Sequence, residues 1–340
     1  MYGQRELFHS NLIAWFFDAL PEFADRVFKP LSSPGHDSGR LVERERKNLD
    51  LVFHWEDRAP VVIENKVFSL PQRDQLDGYA SETDKWMHRP ALVLLSTSPP
   101  DFLSERWHHL DYSELSRRIL EAAPPDSSYE VETMRRYAEL AADLQALVSA
   151  TDVGSEDETV WLPRSLLTAV SSSQMRAALQ KARAQRVARL LNALLPGLEK
   201  PAAAGMTNAT PLVEALEYVQ VEGMHVHLGW QLQGEQFRRA VVYHDKSISG
   251  HSEDSRRLRE QVSEQNPSFL GFPEPLSQQA GGRKDFNHFA PSFVYRYVNA
   301  GGLTIAELQS AASAIHLEIR SMRDAWPGAM TPDEAVRRTP

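Results

Sequence analysis

Asp50, Glu64 and Lys66 are the residues of this 340-residue chain best suited by type and spacing to do chemistry. Glu64 stands fourteen positions after Asp50 and Lys66 two after Glu64, in the runs Asp50-Leu-Val-Phe-His-Trp55 and Val61-Val-Ile-Glu-Asn-Lys66. The turn-like Glu56-Asp-Arg-Ala-Pro60 between them predicts a hairpin whose second strand begins with the buried run Val61–Ile63. Alternate residues of a strand share a face, so Glu64 and Lys66 point one way and Asn65 the other. With Asp50 facing them, two carboxylates and the backbone carbonyl of Asn65 form an oxygen-only donor set. Such a set suits Mg²⁺ or Mn²⁺ rather than zinc. Glu-x-Lys by itself also fits an ordinary charged surface hairpin, so the flanking elements must discriminate.

Those flanks are specific. Pro71 to Tyr79 reads as a helix carrying Gln75 and Tyr79 four apart, hence on one face. At the N-terminus an amphipathic helix, about Arg5 to Leu20, carries Glu6 and His9 on one face. The apolar run Ala91–Ser96 predicts a buried strand. Helix, hairpin with Asp and Glu-x-Lys, helix with Gln-x-x-x-Tyr, then apolar strand: this order resembles the PD-(D/E)XK nuclease superfamily over roughly residues 3 to 147. Gln75 with Tyr79 resembles its RecB-like branch, and Ile-Glu-Asn-Lys followed by Gln-Leu-x-x-Tyr is similar to a group of bacterial members.

The resemblance implies a metal-dependent nuclease in which Asp50 and Glu64 hold the ion and Lys66 positions the water or stabilises the pentavalent phosphate. Gln75 would then support the site and Tyr79 lie near nucleic acid. Glu6 supplies either an outer-shell or second-metal contact, or simply an acid favoured at a helix N-terminus. His9 and Glu45 are accessory candidates; a partly buried structural His and a solvated Glu-Arg-Glu-Arg strand are the plain alternatives. Bacterial defence against foreign DNA is the setting the resemblance suggests, with RNA not excluded as substrate. A nuclease-fold module that binds nucleic acid or a partner without cutting is the rival reading. The complete Asp50, Glu64, Lys66 set argues against it.

The bulk numbers narrow the field. There are no cysteines, which excludes disulfides, thiolate zinc sites and cysteine nucleophiles and makes a cytoplasmic location the expectation. No apolar run is long enough to span a membrane. The net charge of −9 is unfavourable for gripping a polyanion, and the first 150 residues, with 17 basic against 25 acidic side chains, hold most of it. The exception is 174–198, where Arg176, Lys181, Arg183, Arg186 and Arg189 stand without one acid. This stretch is the candidate nucleic-acid-binding helix; a solvated face is the alternative. The expected organisation is an α/β restriction-endonuclease-like domain over 1–150, with a mixed sheet flanked by helices. A polar linker over 151–160 leads to a C-terminal α+β domain over 161–340 for recognition, oligomerisation or partner coupling. His225 and His227 lack a third ligand and read as an exposed strand face; Gly281–Lys284 offers backbone and basic groups to a phosphate, with an ordinary glycine-rich loop the default reading.

Overall fold

The computed structural model describes residues 3–325 apart from 37–38, 101–104, 126–127, 196, 199–200, 209, 222–223, 244–251, 258–259, 261–270, 280–286 and 289–291. The chain divides into two compact units, Met1–Ala150 and Thr151–Pro340.

In the first unit, α1 (Gly3–Ala19) and α2 (Pro21–Phe28) precede three antiparallel strands, β1 (Leu41–Arg46), β2 (Leu49–Trp55) and β3 (Arg58–Lys66). Pro21 does end α1, as its missing N–H requires, but it also opens α2 in the first turn, where no N–H is needed. Lys47 and Asn48, both with positive φ, make the two-residue turn between β1 and β2. This turn matches the right-handed twist of the strands it joins. From β3 the chain must cross over to place β4 (Ala91–Ser96) parallel to it, and α3 (Arg73–Thr83) is that crossover. β5 (Trp107–Leu110) adds in parallel, giving the order β1-β2-β3-β4-β5. α4 (Tyr112–Ala122) and α5 (Tyr129–Ser149) complete the unit.

Helices cover both faces, which is why β2, β3 and β4 are nearly continuous apolar runs. On one face Leu76 and Ala80 of α3 pack with Val62, Leu92, Leu94 and Trp107. On the other, Phe17 of α1 stacks on Phe53 with ring centroids 4.3 Å apart. The mixed sheet flanked by helices is the architecture expected of the first 150 residues.

The second unit is α+β. Six antiparallel strands run in the order β10-β11-β9-β8-β7-β6, comprising β6 (Ala203–Thr207), β7 (Thr210–Val221), β8 (Met224–Gln233), β9 (Gln236–Tyr243), β10 (Asn287–His288) and β11 (Phe293–Asn299). The short α6 (Arg164–Ala169), long α7 (Ser173–Leu194) and α8 (Ile305–Ala325) accompany them, with α7 and α8 packing on the sheet. His225 and His227 both lie on β8, which pairs antiparallel with β7. Gly281–Lys284 lie outside the described residues. Residues 151–160, expected as a linker, are held to the second unit: Thr151 is fully buried and Val160 lies in the core.

Candidate active site

β2 and β3 stay in register as far as Leu51 and Ile63. One step further the Asp50 carboxylate takes the place of a ladder carbonyl, and the Asn65 N–H donates to its Oδ2 at 2.8 Å. Burial pushes the Asp50 carboxyl above the usual aspartate range and nearby Glu45 adds to this; the Asn65 N–H and the Lys66 ammonium offset it in part.

Glu64 is only 2% exposed, although it is an ionisable residue on a strand. Lys66 Nζ lies 2.7 Å from its Oε1. From α3, Gln75 Nε2 donates to the same oxygen at 3.2 Å and to the Tyr79 hydroxyl at 2.9 Å. A helix face and alternate strand positions thus converge, and Gln75 holds the carboxylate in one orientation. Asp50, Glu64, Lys66, Gln75 and Tyr79 are brought together.

The donor set fits a hard divalent cation. It is all oxygen, one carboxyl is destabilised by burial, and an ammonium stands beside the other. Among the described residues no group of three or more His, Asp or Glu side chains is placed to hold an ion. An ion here would therefore take two carboxylates and complete its shell with backbone, water or substrate oxygens, the pattern Mg²⁺ favours.

Asn65 has a second role that its spacing did not reveal. It is fully buried, facing away from Glu64 and Lys66. Its Nδ2 donates to Ser10 Oγ of α1 at 3.2 Å, and its Oδ1 accepts from the Tyr112 hydroxyl of α4. A buried amide needs such partners, and they clamp the residue whose N–H holds Asp50. Ser10 and Tyr112 were missed; the available signal was an Asn inside an otherwise apolar strand, which implies polar partners somewhere in the fold. Tyr112→Phe is expected to weaken Mn²⁺ binding by about tenfold though it touches no ligand oxygen, in the manner of outer-shell partners. Calorimetric titration checks this, and unchanged affinity would detach α4 from the site.

His9 belongs to the same packing. Its Nδ1 and the Tyr137 hydroxyl lie 3.1 Å apart, and its ring meets Tyr112 edge-on at 5.3 Å. Burial lowers its pKa to about 4, so the imidazole is neutral. Of the two readings of His9, its surroundings fit the buried structural histidine. Between its folded pKa near 4 and an unfolded value of 6.5, the unfolded chain binds the extra proton. Stability therefore falls as pH drops through that window, and His9→Gln is expected to flatten this part of the Tm-versus-pH curve.

Glu45 carries a positive φ of 52° on β1 and acts on Asp50 electrostatically while remaining exposed. Glu43, by contrast, is engaged by Arg46 and His54. The Glu6 backbone lies in α1, and its side chain is outside the described residues.

The basic stretch is corrected more sharply. Arg183 is 2% exposed; its guanidinium donates to the carbonyls of Val160, Asp152 and Thr159 at 3.0, 2.7 and 2.7 Å and to Glu158 Oε2 at 3.0 Å. Arg186 is 3% exposed and bonded to Asp152 and the Ala182 carbonyl. Neither reaches a phosphate backbone: α7 turns Arg183 inward onto carbonyls of residues 151–160 and Arg186 inward onto the Asp152 carboxylate. Arg176, Lys181 and Arg189 are half-buried. His225 is taken up by the Tyr218 hydroxyl.

Residues 37–139 match the family model of the PD-(D/E)XK nuclease superfamily. The matched segment lies wholly within the first unit and includes Asp50, Glu64, Lys66, Gln75 and Tyr79. No curated protein and no solved structure matches the chain.

Proposed function

We propose that the first unit, which carries the PD-(D/E)XK superfamily segment, is a Mg²⁺- or Mn²⁺-dependent nuclease that hydrolyses phosphodiester bonds of DNA. The observation that carries this reading is the Lys66 ammonium, whose Nζ lies 2.7 Å from Glu64 Oε1 and which also acts electrostatically on Asp50, itself held by the N–H of Asn65 between Glu64 and Lys66. A divalent ion held there supplies a Lewis acid for the phosphate and a bound water of lowered pKa.

The chain's own groups do the rest. Asp50 is held by the Asn65 N–H, and Glu64 by Gln75, so neither carboxylate has to reorganise during the reaction. Lys66, whose ammonium stands beside Glu64, neutralises charge that grows on the phosphate. Tyr79, joined to Gln75, flanks the site and fits a role beside the nucleic acid. Supporting the nuclease over a binding-only module, no member of the Asp50, Glu64, Lys66 set is replaced or turned away. Among the described residues no helix is long and apolar enough to cross a membrane.

The test is direct. Incubating the full chain with linear, circular and single-stranded DNA, and with RNA, in Mg²⁺, Mn²⁺ or EDTA should show metal-dependent cleavage of DNA. Absence of cleavage under every condition, with metal binding intact, would favour the binding-only module. Preferential cutting of RNA would overturn the choice of substrate.

A further inference from the structure

A cleft of about 610 Å³ in the second unit opens between α6, the first half of α7 and Pro211 of β7. Its polar lining is Arg164, Thr168, Ser173, Arg176 and Gln180, without a carboxylate, in a chain whose net charge is −9. Its apolar wall includes Leu167.

Arg176 is the anchor. Its Nη1 donates to the carbonyls of Val170 and Ser171 at 2.6 and 3.0 Å, which fixes the guanidinium. Among the described residues its Nε and Nη2 make no hydrogen bond, so two donors of a preorganised fork are left for an anion. Arg164 stands on the rim, tied among the described residues only to Glu235 at 3.4 Å through a surface pair of little energetic weight. Ser173 begins the 22-residue α7, so backbone N–H groups of its first turn add positive potential at the same end. Gln180 Oε1 is buried with no hydrogen-bond partner, and rotation about its soft terminal torsion offers it to a ligand N–H or O–H.

We infer that this cleft binds a nucleoside phosphate, with the phosphate on Arg176 and Arg164, the base against Leu167 and Pro211, and Gln180 accepting from the base or sugar. The volume lies in the range of ordinary small-ligand pockets. The inference stands apart from the nuclease reading, since every lining residue belongs to the second unit.

Calorimetry of the full chain in EDTA, with ADP, GDP, CDP and UDP as probes beside adenosine and inorganic phosphate, tests it. At least one diphosphate should bind at least about tenfold more tightly than adenosine or phosphate, since charge-assisted and base contacts both contribute. Arg164→Gln should weaken that binding about tenfold, as should Arg176→Gln. Asp50→Asn should leave it unchanged. If Arg176→Gln fails to fold, Arg164→Gln and Gln180→Leu decide. No diphosphate binding at about 1 mM, or wild-type affinity in Arg164→Gln, would overturn the inference. So would binding lost with Asp50→Asn, or binding of a 5′-phosphorylated oligonucleotide alone, which would make the cleft a strand-end site.

Discussion

Glu64→Gln should reduce nucleic-acid cleavage by at least about 10²–10³-fold while moving the melting temperature measured in EDTA by only a few degrees. Gln keeps the size and planarity of Glu64 and still accepts from Gln75 and Lys66, so packing against α3 is preserved. What disappears is the charge, and with it the affinity for a divalent ion. In wild type a saturating ion, at about 100 times its Kd, stabilises by roughly 2.7 kcal/mol, which for a unit of this size corresponds to roughly 5–10 °C. That Mn²⁺-dependent rise should vanish in Glu64→Gln. Lys66→Ala should also stop cleavage, with a different signature. It leaves the buried carboxylate at 2% exposure without its ammonium, so it should lower the melting temperature in EDTA as well. Wild-type cleavage by either variant would remove the site from Asp50, Glu64 and Lys66. Loss of cleavage with an intact Mn²⁺ shift in Glu64→Gln would keep the reaction there but move the ion elsewhere.

The second large effect concerns stability. Arg183→Gln should destabilise the second unit by about 3–5 kcal/mol, the cost of stripping one partner from a buried, fully bonded charge. The guanidinium links Val160, Asp152, Thr159 and Glu158, so removing it leaves the buried Val160 carbonyl and two part-buried carbonyls without that donor. On a unit of 190 residues this is a fall in melting temperature of about 10 °C or more. Arg164→Gln, on the surface, is the control and should shift it by a degree or two at most. A binding role for Arg183 predicts the reverse: a normal melt, with weaker and less salt-dependent DNA binding. Thermal unfolding of the two variants, beside filter binding across salt concentrations, separates these outcomes.

The contrast between the two sites shows where sequence reading succeeds. Asp50, Glu64 and Lys66 lie on one hairpin, and Gln75 with Tyr79 on the helix that follows. Strand alternation and helical spacing act over a few residues, so a local pattern was enough to predict which side chains face together. The absence of cysteine and the apolar runs of β3 and β4 were equally local, and they determined the donor chemistry and the buried strands. Tertiary structure alone decided which way a charged helix turns. The arginines of α7 read as a basic face, yet Arg183 and Arg186 point inward, because residues 151–160 present carbonyls to the first and the Asp152 carboxylate to the second, and no periodicity within α7 encodes that need. The same holds for Asn65, whose partners Ser10 and Tyr112 are 55 and 47 residues away. A one-dimensional pattern reports which face a residue occupies; what stands opposite that face is decided by chain segments brought together only when the core closes.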